Sequence, residues 1–174
     1  MKTFWKKWSG AALAVQLTAI GAMLIMATAV AIPLLSEQRL ARERSQALGD
    51  LRRLAADIMN YRQDTGAWPD QWAFTFTDGD SAAGEEARYG DPDRAVHISR
   101  FLSINKARVD GWRGPYMGMS RNDPWGNRYV VVTGRSGPSR PTHLWVISAG
   151  PSGIFQTNPE DTSVKGDDLG LRLQ

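Results

Sequence analysis

No cysteine occurs anywhere in the chain, which excludes a disulfide framework, thiolate metal sites and thiol nucleophiles. Histidine is nearly as scarce. His97 and His143 are the only two, and they form no His-Glu-x-x-His pair of the kind that holds zinc and activates water. No phosphate loop, nucleophile elbow or dinucleotide fingerprint is present. The expectation is a non-enzymatic protein with no catalytic residue to single out. Acidic side chains are missing from the first 36 residues, where Lys2, Lys6 and Lys7 are the only ionised groups. Setting those three aside leaves 18 of the 21 basic residues against 18 acidic ones. The net charge of +3 therefore belongs to the N-terminal tail, and a groove that displaces counterions from nucleic acid is not expected. With 42% hydrophobic and 22% charged residues, the chain is neither mainly disordered nor fibrous.

What is present begins with grease. From Gly10 to Leu35 no charge interrupts a run of small and aliphatic residues, long enough as a helix to cross a hydrocarbon core of roughly 30 Å. Trp5 and Trp8 beside Lys6 and Lys7 suit a membrane interface, and Gly10, Gly21, Ala22 and Ala29 would let neighbouring helices approach. The division predicted is a tail and transmembrane helix over 1–35 and a soluble domain over 36–174. The tail stays inside and the larger domain crosses. The same run, ending at Ala29-Val30-Ala31, also reads as a cleavable secretory signal.

Residues 37–61 carry a helical stripe of Leu40, Ala47, Leu51, Leu54 and Ile58, widened by Leu48, Ala55 and Met59. The opposite face holds Arg39, Glu43, Asp50, Arg53 and Asp57, spaced for weak ion pairs. Pro33 predicts a kink or the membrane exit. Gly66 and Pro69 end the helix after Asp64. Residues 70–95 read as a long surface excursion, with a short helical piece over 97–106 and a solvated Asp78-Gly79-Asp80 turn. The last third is β-like over 128–133, 143–148 and the alternating Leu169, Leu171 and Leu173. The fold expected is α+β: a long N-terminal membrane-spanning helix continuing into an amphipathic spine packed on a small antiparallel sheet.

Asp123-Pro124-Trp125-Gly126-Asn127 has turn chemistry, with proline presetting a dihedral and the aspartate bonding onward amides. Trp125 is expected to drop into the core. The run Asp64-Thr65-Gly66-Ala67-Trp68-Pro69 at a helix end, Gly111-Trp112-Arg113-Gly114-Pro115-Tyr116, Asp123 to Tyr129, Ser148 to Gly153 and Gly166 to Gly170 appear in that order. Together they resemble the signature segments of type II secretion pseudopilins, the major pseudopilin in particular, within the type IV pilin-like family. That resemblance implies a filament subunit for protein export, anchored in the inner membrane with its domain in the periplasm. The partners implied are other copies or other pseudopilins, with a prepilin peptidase removing the leader.

The N-terminus departs from the family. Its phenylalanine-led start is replaced by Gly10-Ala11-Ala12-Leu13, and its glutamate by Gln16, seventeen residues before the kink proline Pro33. Glutamine keeps hydrogen bonding inside a membrane but carries no charge for a neighbour's amine. Gln16 and Pro33 are the expected assembly residues. The resemblance also implies calcium, held by Asp167, Asp168, Ser152 in place of an aspartate, and the Ala149 carbonyl, with Asn158, Glu160 and Asp161 as substitutes. Calcium takes six to eight oxygens at about 2.3–2.6 Å. The alternative function is a membrane-anchored periplasmic binding or scaffold module that does not polymerise, for which Trp68, Trp72, Phe74, Phe76 and Phe101 would mark a partner or glycan surface if exposed; burial against the helix is the reading preferred for them.

Overall fold

The computed structural model describes the backbone of residues 4–69, 74–90, 94–135 and 141–174, and the side chains of 35–69, 74–90, 94–134 and 143–174. Two compact units divide the chain, Met1–Ala41 and Arg42–Gln174. Helix α1 runs Phe4–Thr65. Among the described residues no helix is long and apolar enough to cross a membrane. The side chains of the 10–35 run lie outside the described residues except for Leu35, which is exposed.

In the second unit α1 buries Ala47, Leu51, Leu54, Ala55, Ile58 and Tyr61, a three-and-four spacing that keeps one face inward. Full burial of each large aliphatic chain in this stripe contributes about 1.5–3 kcal/mol. Met59 departs from the expected stripe: it is 41% exposed, because it lies one position past Ile58 and turns off the buried face. The helix stops at Thr65, whose hydroxyl bonds the Tyr61 carbonyl at 2.8 Å, and Gly66 takes φ +71°, the left-handed conformation that closes helices.

Five strands follow: β1 (Thr75–Phe76), β2 (Val96–His97), β3 (Val130–Arg135), β4 (Pro141–Ser148) and β5 (Leu169–Leu173). Their order is β2-β1-β3-β4-β5. The α+β architecture holds, but the sheet is mixed rather than purely antiparallel, since β1 and β2 run parallel. A parallel pair needs a crossover, and the 77–95 segment supplies it with α2 (Glu85–Tyr89).

Alternation along β3 and β4 sends side chains to two cores. Val131, Leu144 and Val146 meet the α1 stripe, Tyr129, Trp68, Ile98 and Leu102, the last two bracketing the start and end of α3 (Ser99–Leu102). Val130, Val132, Trp145 and Ile147 pack on Phe74, Ala82, Ala149 and Phe155. The described residues of the 70–95 stretch, 74–90 and 94–95, are therefore not a surface excursion. Sheets with apolar residues on both faces must cover both, and Phe74, Phe76, Ala82, Tyr89 and Ala95 help cover the second. Trp68 and Phe74 are buried and Phe76 and Phe101 half-buried, while Trp72 lies outside the described residues. The described aromatics form no exposed partner surface.

Candidate functional site

The motif segments meet one another. Gly111 sits at φ +79°, where a β-carbon would stand 2.5 Å from the Asp64 carbonyl oxygen, and the Tyr116 hydroxyl donates to Asp64 Oδ2 at 2.8 Å. The Trp112 indole N–H donates to the Phe101 carbonyl at 2.6 Å, and its ring stands edge-on to Tyr116. The Gly114–Pro115 bond is cis.

A second junction centres on Asp123, which is buried. Its Oδ1 accepts from the amides of Trp125 at 3.0 Å and Asn127 at 2.8 Å. Its Oδ2 accepts from the Ser148 hydroxyl at 2.7 Å, and that hydroxyl receives the Gly150 amide. Burial pushes the Asp123 carboxyl above its ordinary value, and the Ser148 and amide donors pull it back. Trp125 does not enter the core as expected. It is half-buried, with its indole N–H bonded to Glu43 Oε2 on α1 at 3.0 Å, an acceptor that satisfies the indole donor at the edge of the core.

The Asp78-Gly79-Asp80 turn is docked as well as solvated. The Asp80 amide and carbonyl bond Gly126 and Arg128, and a β-carbon at Gly79 would stand 2.7 Å from the Arg128 nitrogen. The Arg128 guanidinium pairs with Glu85 of α2, which is buried, and stacks over Phe76 at 4.2 Å.

The candidate calcium residues divide. Ala149, Ser152 and Asp167 come together: the Ser152 hydroxyl donates to Asp167 Oδ1 at 2.8 Å and lies 3.4 Å from the Ala149 carbonyl. The Ser152 amide and the Gln156 side-chain amide also donate to Asp167. Asp168 faces the other way along the loop, its Oδ2 accepting the Gln156 and Thr157 amides at 2.9 and 2.6 Å. Its Oδ1 is buried without a hydrogen-bond partner. Asn158 and Asp161 close a turn on each other. Among the described residues no three acidic or histidine side chains cluster as a metal centre. Gln16 and Pro33 fall within the bounds of α1, and their side chains lie outside the described residues.

Sequence reasoning did not find two arrangements. His97 contacts the Ser99 hydroxyl through Nδ1 at 2.7 Å and Asp78 through Nε2 at 3.0 Å. The Ser99 amide also donates to Nδ1, which places the ring proton on Nε2. The order Ser-His-Asp matches a hydrolase relay, but the carboxylate is 61% exposed and the serine is two residues from the histidine, so the contacts pin β2 to the 78–80 turn. The second is a cleft of about 180 Å³ between α1 and the 117–121 segment, walled by Asp50, Asp57 and Tyr129 among others. The acidic residues beside the apolar stripe were its only sequence signal.

Comparison with family models, with curated proteins and with solved structures finds no match for this chain. The motif junctions therefore carry the functional reading by themselves.

Proposed function

We propose that the chain is a non-enzymatic structural subunit of a type II secretion pseudopilus or a related type IV pilus-like assembly. In this reading the 10–35 run crosses the inner membrane once and residues 36–174 lie in the periplasm. The observation that supports it is the mutual bonding of the resembling segments, Asp64 to Tyr116 and Asp123 to Ser148. Segments that bond one another form one architectural unit, which supports reading them as a single signature. Because the chain has no cysteine, single cysteines at the exposed helix positions Ser45, Arg52 and Ala56 give clean crosslinking probes in membranes. Crosslinks between copies, or to other pseudopilins, are expected. A strictly monomeric protein at native levels overturns the reading. Mass spectrometry of the mature N-terminus separates the leader outcomes, with cleavage near 10–12 expected if a prepilin peptidase acts.

Calcium belongs to the same proposal. The donor set fits in part: the buried, unpartnered Asp168 Oδ1 is an acceptor that a cation would complete, whereas Asp167 is already engaged by Ser152 and Gln156. Ala149, Ser152 and Asp167, which already meet, would hold the ion together with Asp168 once its Oδ1 turns to them, and the ion would supply charge neutralisation and loop closure. Calcium should raise the thermal midpoint of the full chain, more so in Ser152→Asp, and Asp168→Ala should abolish the effect. An unchanged calcium response in Asp168→Ala removes this assignment. The alternative, an anchored binding module, is favoured by one feature only, the unpaired outer edge of β5.

A further inference from the structure

The sheet ends differently on its two sides. At one edge β2 is only two residues long and α3 begins one residue after it. At the other, β5 pairs with β4 through all five of its residues without a bulge, and no strand lies beyond it. Among the described residues no loop backbone bonds β5 from outside. A strand carries N–H and C=O groups on both sides, so one side of β5 faces outward unpaired. Natural edges are blunted by lysine, proline, a bulge or extreme shortness. Leu169-Gly170-Leu171-Arg172-Leu173 has none of these, and all five residues are half-buried.

The two faces that flank this edge differ in chemistry. Leu169, Leu171 and Leu173 pack toward the α1 stripe. Beside the end of β5 a shallow trough between α1 and Gln174 is walled by Met59, Asn60 and Gln63, and Met59 is 41% exposed. Alternation puts Arg172 on the opposite face, across from Trp145 of β4. Its Nε is buried without a hydrogen-bond partner, and among the described residues its guanidinium forms no ion pair. A half-buried cation left uncompensated is costly, and a carboxylate would relieve it.

We propose that β5 is a strand-addition site for an extended acidic segment of a partner protein, which joins the sheet with a carboxylate at Arg172 and an apolar side chain at Met59. The open edge fixes the shape of the occupant, since an extended polypeptide presents matching backbone groups at every second residue. Arg172 fixes the sign of its charge. The partner segment therefore alternates apolar and acidic residues. A second copy's β5 fits poorly: it brings another arginine, and its nearest acid, Asp168, is buried and engaged by the Gln156 and Thr157 amides. The inference goes beyond the filament reading and needs neither membrane crossing nor polymerisation.

The test titrates the full chain in detergent micelles with a short capped peptide alternating leucine and glutamate, followed by amide NMR and hydrogen exchange. Saturable shifts and slowed exchange at residues 169–173 are expected, with a Kd between about 1 μM and 1 mM. Two further peptides are N-methylated, one on every leucine and the other on every glutamate. One of them should bind at least about tenfold more weakly and the other should not, because a single row of amides faces β5. Lysine in place of glutamate should also weaken binding about tenfold, and Arg172→Glu should reverse that preference. If Arg172→Glu does not fold, the methylated and lysine peptides still decide the matter on the unaltered chain. Absence of saturation, equal binding of the glutamate and lysine peptides, equal loss with both methylated peptides, or pairing of β5 between copies in place of peptide binding overturns the inference. Crosslinking through α1 is independent of it, so either reading can fail alone.

Discussion

The two faces of the sheet are covered by different means. On one, a single helix lays down Leu51, Leu54, Ile58 and Tyr61 in regular order. On the other, short pieces gathered from residues 74–90, 94–95 and 149–155 do the same work, and polar contacts bind them: Arg128 to Glu85, Arg88 to the Phe155 carbonyl at 2.6 Å, and the Tyr89 hydroxyl to the Thr157 carbonyl at 3.0 Å. A long helix positions its whole apolar stripe by backbone periodicity alone. A two-residue strand and a five-residue helix cannot, being too short to form in isolation, so that face depends on individually bonded side chains.

The sharpest way to break this contrast is Arg128→Ala, which leaves Glu85 buried and unpaired. A loss of about 3–5 kcal/mol in denaturant unfolding is expected, with the Arg128→Met, Glu85→Gln pair recovering most of it. Ile58→Ala, on the helix side, should cost about 2–5 kcal/mol through a cavity. The comparison is sharpened by hydrogen exchange. Phe74→Ala should deprotect amides of β1, β2 and the 83–90 segment selectively, whereas Ile58→Ala should lower protection throughout residues 42–174. Uniform loss in both would show that the patchwork face is no less cooperative than the helical one.

The smallest effect concerns Asp57. Its folded value lies above the ordinary 3.8 because of burial, so the folded state holds that proton more tightly than the unfolded chain. The contribution to stability is full below 3.8 and is lost as pH rises through the folded value. Asp57→Asn should remove this dependence and raise stability at neutral pH by under about 0.5 kcal/mol, since the group is half-exposed. A destabilised Asp57→Asn protein, measured by thermal unfolding at pH 4 and 7, would contradict the desolvation argument.

The helical face was legible because Ala47, Leu51, Leu54 and Ile58 repeat with the helix period, and β3 to β5 because their β-branched and leucine residues cluster or alternate. The patchwork face was not. Thr75 and Phe76 become strand only through distant partners, Val96 and His97 on one side and Val130 and Val131 on the other, and nothing local announces pairing at that distance. Trp125 shows the limit of apolarity as a guide, since its indole nitrogen decided its place. Of the candidate site residues, Ala149, Ser152 and Asp167 do converge, while Asp168 turns to the Gln156 and Thr157 amides, a choice set by loop geometry. The cleft at Tyr129 escaped notice because Asp50 and Asp57 looked like partners for Arg53, and only the approach of the 117–121 segment turns that helix face into a cleft wall.

The motif junctions have a kinetic consequence. The Asp64–Tyr116 and Asp123–Ser148 bonds join residues 52 and 25 positions apart, so each closes only after the chain has been drawn across those intervals. We expect both contacts to form after the folding barrier is crossed. Loosening either one, by Tyr116→Phe or Ser148→Ala, should leave refolding speed unaltered while shortening the lifetime of the native state, a property of direct concern to any protein that must bear mechanical load.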